Sequence, residues 1–342
     1  MKRYRVGIVG AGFGVRVHLP ALRNHPRFDV VALASPSSAQ QIARAENIAH
    51  AFRSCNEMIA GIDLDAVVVA SPPFAHYDDV LAALAQRKHV ICEKPFALRI
   101  ADARSMLEAQ RSAGTACGVA HEFRFVPQAQ ALKELIVHGH LDPVRNIEIS
   151  LLRTSLRRQE RRQRGWWFER ERGGGLTGAV VSHLIDHANW LAGRPPSRVL
   201  GFARTANAKR SDDRGAFRSD VADGAFALFE YDGGLVARVS ADGTAAVESY
   251  TCAVHSEQRT AVESGPWITD VTLYTVDENE TSELQCKASP YARYAKIDPS
   301  IPPMMELYDE FVKEIESAPN ALPTFEDAVH TQEALAAIGY EL

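Results

Sequence analysis

Hydrophobic positions in the first third of the chain fall into short, nearly continuous runs separated by amphipathic stretches. Residues 4–9, 28–34, 66–70, 89–92 and 116–120 are largely apolar on both faces, as in strands covered from two sides. Between them, 76–87 carries Val80, Leu81 and Leu84 at helical spacing, and 100–113 reads as another helix. The loop after Gly10 leads into a helix reaching about Asn24, and Ser37 or Ser38 is expected to cap one running to about Glu46. Strands separated by helices of this length predict a parallel sheet wound on both faces. The rhythm changes after about His121. Residues 128–137 read as a helix and 144–152 as a strand, and a helix from about Val180 is closed by Pro195 and Pro196. Mainly β structure follows. Its strongest hairpin signal is 226–231 and 235–240 around Asp232-Gly233-Gly234, with further strands over 250–255 and 271–276. Two helices, 304–316 and 325–338, close the chain. Strand following strand predicts a large, mostly antiparallel sheet. The expected organisation is an α/β domain over 1–121 and an α+β domain over 122–342, with the last helix packing back on the first domain.

The length agrees with two domains, since 342 residues exceed what one core usually needs. A hydrophobic fraction of 46% with 24% charged residues excludes a disordered or collagenous chain. The net charge of -5 leaves no global basic bias for holding a polyanion, so no nucleic-acid partner is expected. Five widely spaced cysteines form no CxxC pair and no cluster with zinc-ligand spacing, which points to free thiols in a reducing cytoplasm. His183 and His187 stand one helical turn apart without a third ligand nearby, so no metal is expected either. The basic start before an apolar run imitates a leader, but Gly7, Gly10, Gly12 and Gly14 break the run and it reads as strand and loop. No uninterrupted apolar segment approaches membrane-spanning length.

Gly10-Ala11-Gly12-Phe13-Gly14-Val15 directly follows the first strand and opens a helix. Glycines there permit a tight turn and let main-chain amides approach a pyrophosphate at the positive end of the helix. A plain glycine turn is the bland alternative, and the βαβ setting outweighs it. The third fingerprint position is Val15, which predicts slightly wider helix–strand spacing. At the end of the second strand an NAD-specific site usually has an acid for the ribose 2′-hydroxyl. Here that stretch reads Ala34-Ser35-Pro36-Ser37-Ser38, without a carboxylate. Nothing there repels a 2′-phosphate, and Arg44 or Arg53 is within reach in sequence. The cofactor expected is NAD or NADP, with a lean to NADP.

Four further segments complete an ordered set: 70–76 (Ala-Ser-Pro-Pro-Phe-Ala-His), Glu93-Lys94-Pro95, Arg124-Phe125-Val126-Pro127, and three glycines from Gly173 leading to Ser182-His183-Leu184-Ile185-Asp186. With the glycine loop, the chain resembles, nearly end to end, the glucose–fructose oxidoreductase / inositol dehydrogenase / rhizopine-catabolism (Gfo/Idh/MocA) family of oxidoreductases. The resemblance implies an N-terminal Rossmann domain, a C-terminal domain with an open-faced sheet, and a homodimer or homotetramer formed through that sheet. It implies that Lys94 lies at the nicotinamide and acts with His183 as the catalytic pair, and that a cis bond precedes Pro95. The implied cofactor contacts are Gly10, Gly12, Phe13, Gly14, Ser35, Ser71, Pro72, His76, Glu93 and Lys94. Those implied for substrate are Glu122, Arg124, Trp167 and Asp186. Many members carry Asp four residues before the histidine; here that position is Ala179. Lys94 and His183 would then divide the proton work, with Glu122 or Asp186 in support.

Six arginines fall within 153–164: Arg153, Arg157, Arg158, Arg161, Arg162 and Arg164. A solvated charge run is the plain reading, and a basic lid over an anionic ligand is the sharper one. The expected function is hydride transfer between nicotinamide and a carbinol or carbonyl carbon of a sugar, cyclitol or other small polyhydroxy compound. A catalytically silent NAD(P) sensor of the same fold is the competing reading.

Overall fold

The structure is a computed structural model, and it describes residues 2–157, 163–278 and 280–341. By contacts the chain divides into two units: Met1–Glu122 with Ser289–Val329, and Phe123–Ala288 with His330–Leu342.

The first unit is built on β1 (Tyr4–Val9), β2 (Phe28–Ala34), β3 (His50–Phe52), β4 (Ala66–Val69), β5 (His89–Cys92) and β6 (Cys117–Val119). All pairings are parallel, in the order β3-β2-β1-β4-β5-β6. The helices are α1 (Leu19–Asn24), α2 (Ala39–Ala45), α3 (Cys55–Gly61), α4 (Pro73–Ala85) and α5 (Ile100–Ala113). The order reverses between β1 and β4, so the carboxyl ends of these strands form the switch point at which such sheets bind ligands. The all-buried pattern of β4 is what a central strand covered on both faces requires. β3 and α3 have no counterpart in the expected elements. β3 has only three residues, too few to show a period. α3 carries a capping signal: Ser54 accepts a hydrogen bond from the Glu57 amide at 3.2 Å, while Glu57 accepts one from the Arg53 amide at 2.9 Å. Ser38 precedes α2 as expected but does not cap it with its side chain; its hydroxyl pairs with that of Ser35 at 2.9 Å.

The second unit begins with α6 (Pro127–Val137), β7 (Val144–Leu152) and α7 (Ser182–Ala192). Nine strands follow: β8 (Arg198–Arg204), β9 (Lys209–Asp212), β10 (Gly215–Arg218), β11 (Gly224–Glu230), β12 (Val236–Asp242), β13 (Ser249–Ser256), β14 (Thr260–Trp267), β15 (Asp270–Val276) and β16 (Thr281–Glu283). Eight strands form one sheet in the order β16-β15-β14-β13-β7-β12-β11-β8, antiparallel except for the β7–β12 pair. Alternation assigns the faces. Ile147, Ile149, Leu151, Ala237, Val239, Ala241, Tyr250, Cys252 and Val254 lie in one buried cluster with Leu184, Ala188 and Leu191 of α7. On the opposite face Leu200, Phe202, Leu228 and Val236 stay exposed. The β11–β12 hairpin turns on Gly233 and Gly234, both at φ 84°.

Two helices close the chain, α8 (Ile301–Ile315) and α9 (Phe325–Ala337). The expected carboxyl-terminal domain is thus interrupted: Ser289–Val329, which holds all of α8, belongs with the first unit, and α9 divides after Val329. α8 packs on α1, and its Tyr308 and Phe311 rings lie 5.3 and 6.3 Å from that of Phe28. No helix among the described residues is long and apolar enough to cross a membrane.

Phe28 is fully buried where β2, α1 and α8 meet. Phe28→Ala is expected to cost about 3–5 kcal/mol, read as a lowered denaturation midpoint in urea. A loss below about 1 kcal/mol would show that α8 is not held there.

Candidate active site

The glycine loop has the shape its sequence demands. Gly10 sits at φ 115°, and a Cβ there would stand 2.1 Å from the Ala70 carbonyl oxygen at the end of β4. Only glycine fits. A Cβ on Gly14 would meet Ile8 Cγ2 of β1 at 3.0 Å, so residue 14 makes the close helix–strand approach. Val15 is only half-buried. A Cβ on Gly12 would meet nothing within 4 Å. A tight turn beside an open, exposed glycine fits a dinucleotide pyrophosphate.

At the carboxyl ends of β2 and β3 lies a cavity of about 420 Å³, lined by Ser35, Ser37, Gln40, Phe52 and Arg53 among others. No carboxylate lines it. Of the two arginines considered from sequence, Arg53 is the one at its wall.

The chemistry of the first unit gathers around Glu93, at the end of β5. Its Oε1 lies 2.9 Å from His18 Nε2, and His18 Nδ1 lies 2.6 Å from the Tyr308 hydroxyl. With Nε2 donating to the carboxylate, Nδ1 accepts from the phenol. Glu93 Oε2 accepts from the Lys94 amide at 3.2 Å and stands 4.0 Å from Lys94 Nζ. Burial opposes the charge on Glu93, but the His18 hydrogen bond and the Lys94 ammonium outweigh it and hold its carboxyl below the usual range. Glu122 responds oppositely. Burial first, then the negative charge of Glu93, push it up to about 8 against the pull of Lys94. Lys94 Nζ also stands 5.8 Å from the Phe13 ring, which meets His18 edge-on at 5.6 Å. The Lys94-Pro95 bond is cis.

His76 ties the neighbouring loops together, with Nε2 2.8 Å from the Ser71 carbonyl and Nδ1 3.0 Å from the Pro95 carbonyl. A neutral ring donates to only one of them at a time, and burial favours the neutral ring. The Ser71 hydroxyl is engaged by Asp79 at 2.7 Å. Pro72 is the residue from which α4 starts.

In the second unit, α7 carries His183 and Asp186 on one face. Arg124 Nε and Nη2 grip Asp186 Oδ2 and Oδ1 at 2.8 and 2.5 Å, a buried bidentate pair. Asp186 therefore balances the charge of Arg124. The His183 ring lies 4.3 Å from that of Phe123. Trp167, half-buried, packs edge-on against Phe168 at 5.2 Å, at the margin of the core of its own unit.

Two family models match the chain: the "Oxidoreductase family, NAD-binding Rossmann fold" over residues 4–121, and the "GFO/IDH/MocA C-terminal domain" over 129–262. The chain belongs to the Gfo/Idh/MocA oxidoreductase family. It is 34% identical over 209 residues to an uncharacterised oxidoreductase of Synechocystis, a match spanning 60% of this chain and 56% of the relative. It is 29% identical over 240 residues to the 1,5-anhydro-D-fructose reductase of Ensifer adhaerens, spanning 68% of each. A levoglucosan dehydrogenase solved with NADH and levoglucosan superposes with a TM-score of 0.86 at 21% identity, covering 98% of this chain and 96% of that one, a likeness of fold.

Within this family member the basic run between 153 and 164 is tied down at both ends. Arg153 pairs with Glu248 at 2.7 Å and stacks 4.2 Å from the Trp267 ring. Arg164 bonds the Gly215 and Ala216 carbonyls and lies 4.7 Å from the Phe217 ring. Arg158, Arg161 and Arg162 fall outside the described residues. His18 and Tyr308 are site residues that motif reading passed over. His18 stands four residues beyond Gly14, but its partner is 290 residues away.

The elevated Glu122 makes a signed prediction. Unfolded it titrates near 4.5 and folded near 8, so between these values the native state keeps a proton that the unfolded chain has released. Native stability therefore falls as pH rises through that window and levels off above about 8. Glu122→Gln should match wild type in Tm at pH 4.5 and exceed it by at least about 2–4 °C at pH 9, a gain of about 1 kcal/mol or more. A Tm difference constant across that range would refute this.

Proposed function

We propose that the protein is an NAD(P)-dependent dehydrogenase or reductase acting on a carbinol or carbonyl carbon of a sugar, cyclitol or related polyhydroxy compound. One observation carries the reading. An ammonium group, Lys94, is presented at the carboxyl edge of the sheet that holds the glycine loop, backed by a buried ionised Glu93 and by Glu122 titrating near neutrality. The bound nicotinamide supplies the hydride exchange. Lys94 gives a proton to the reacting oxygen when a carbonyl is reduced and takes one back when an alcohol is oxidised. Glu93 holds the ammonium in place. Glu122, poised at about 8, passes the proton onward. His183 positions the reacting oxygen or relays its proton, without the carboxylate at 179 that many family members use. The Ensifer reductase and the levoglucosan dehydrogenase, both named for cyclic polyhydroxy compounds, support the substrate class.

The acid-free wall of Ser35, Ser37 and Arg53 supports NADP as the preferred cofactor, with NAD tolerated. Five unpaired cysteines support a reducing, cytoplasmic setting. The apolar outer face of the second unit's sheet supports a homo-oligomer. Phe202 is 59% and Leu228 56% exposed on neighbouring strands, a patch that a second copy would cover.

A panel of sugars, cyclitols and sugar acids, assayed with both nicotinamides, should show turnover that favours NADP. Lys94→Met should lower kcat by a hundredfold or more while nucleotide binding survives. Unchanged turnover in that variant sinks the role of Lys94, and nucleotide binding without turnover of any panel member would support the sensor reading. Separately, Leu228→Glu is expected to reduce the mass measured by light scattering from that of a dimer or tetramer to that of the 342-residue monomer. A monomeric wild type would remove the proposed interface.

A further inference from the structure

The second unit buries a polar cluster that the proposed reaction does not use. His187 of α7, Cys252 of β13 and Glu263 of β14 place their ligating atoms within 4.8 Å of one another. Their residues are 3%, 0% and 1% exposed. The fold explains the meeting. Cys252 and Glu263 are direct partners across the antiparallel β13–β14 pair, so both side chains point to the same inner face. His187 shares the α7 stripe of Leu184, Ala188 and Leu191, which belongs to the core cluster of that face. Separations of 65 and 11 residues escape any ligand-spacing motif, which is why the sequence predicts no metal.

Much of the lining is apolar: Ile149 pairs with Cys252 from the other side, and Ala261 and Leu273 belong to the same core cluster. Neither ring nitrogen of His187 has a hydrogen-bond partner, and neither does Glu263 Oε1. Glu263 receives one bond, from the Tyr250 hydroxyl at 3.3 Å. Each buried polar atom left without a partner costs about 1–3 kcal/mol. One ring nitrogen and the carboxylate oxygen lie beside a thiol, where a single cation would give both a partner.

We propose that His187, Cys252 and Glu263 bind a divalent zinc ion inside the second unit. A thiol, an imidazole and a carboxylate form the mixed sulfur, nitrogen and oxygen set that zinc accepts, whereas magnesium and calcium take oxygen ligands. Tetrahedral zinc holds ligand atoms about 3.3–3.8 Å apart, so the three side chains draw in by up to about an ångström. Binding releases the Cys252 thiol proton, and the proton of the Glu263 carboxyl where it carries one, to solvent, with no change of oxidation state. The ion would pin α7 to the sheet at His187, one helical turn beyond His183.

Full-length protein stripped with chelator is titrated with cobalt(II), a spectroscopic substitute for zinc. The expected result is one equivalent of cobalt giving intense tetrahedral bands and a thiolate charge-transfer band, all erased by zinc. Zinc should also raise Tm, and X-ray absorption at the zinc edge should show one sulfur with nitrogen and oxygen ligands. Cys252→Ser should lose the charge-transfer band, and His187→Gln should lose stoichiometric binding. Absence of the band in folded wild type, a zinc shell of nitrogen and oxygen alone, or a band retained in folded Cys252→Ser would each overturn the site. The absorption-edge measurement needs no variant, so a failure of either substitution to fold leaves the test intact.

Discussion

A buried negative charge organises the first unit. Glu93 is 5% exposed, and a carboxylate so placed ionises only where partners replace the water it has lost. Those partners come from near and distant parts of the chain. His18 descends from the glycine loop, Lys94 follows on the strand edge, and Tyr308 of α8 fixes the far side of the His18 ring. The glycine loop, Lys94 and a helix from the carboxyl-terminal third are thereby tied to one oxygen pair. Glu122 depends on the same charge, because the ionised Glu93 is part of what keeps its proton in place. Neutralising Glu93 would release the ammonium and lower Glu122 together.

Much of this was legible in the residues. Five of the six parallel strands announced themselves as apolar runs, since a central strand covered by helices has no need to alternate. The missed elements failed for physical reasons. β3 has three residues, fewer than two full periods of any strand pattern. β14 includes a glutamate on its buried face and a Gly265-Pro266 step, both of which read as loop. The parallel β7–β12 pairing joins residues about ninety positions apart, and nothing local encodes it. Ser38 lies where a cap is wanted, yet its hydroxyl found a closer partner in Ser35.

The site divides along the same line. Features that follow from a local turn, such as the positive φ of Gly10, could be read from their motifs. Roles set by pairing could not. Arg124 and Asp186 were both marked as substrate residues, but their bidentate bond 62 residues apart makes each the other's counter-ion. Val15 appeared as a flaw in the fingerprint, and the three-dimensional loop shifts the close approach to Gly14 instead.

This redistribution bears on how proton transfer is shared. The carboxylate that many family members place four residues before the histidine is absent at Ala179, and both oxygens of Asp186 are taken by Arg124. The face of α7 that carries His183 thus offers an imidazole packed 4.3 Å from a phenyl ring, beside a charge already balanced. Such a group is suited to orienting an oxygen. Glu122, whose carboxyl titrates at about 8 within the field of Glu93 and Lys94, is suited to exchanging a proton at neutral pH. The first unit thus holds a buried carboxyl of raised pKa beside an ammonium, independent of any carboxylate at position 179.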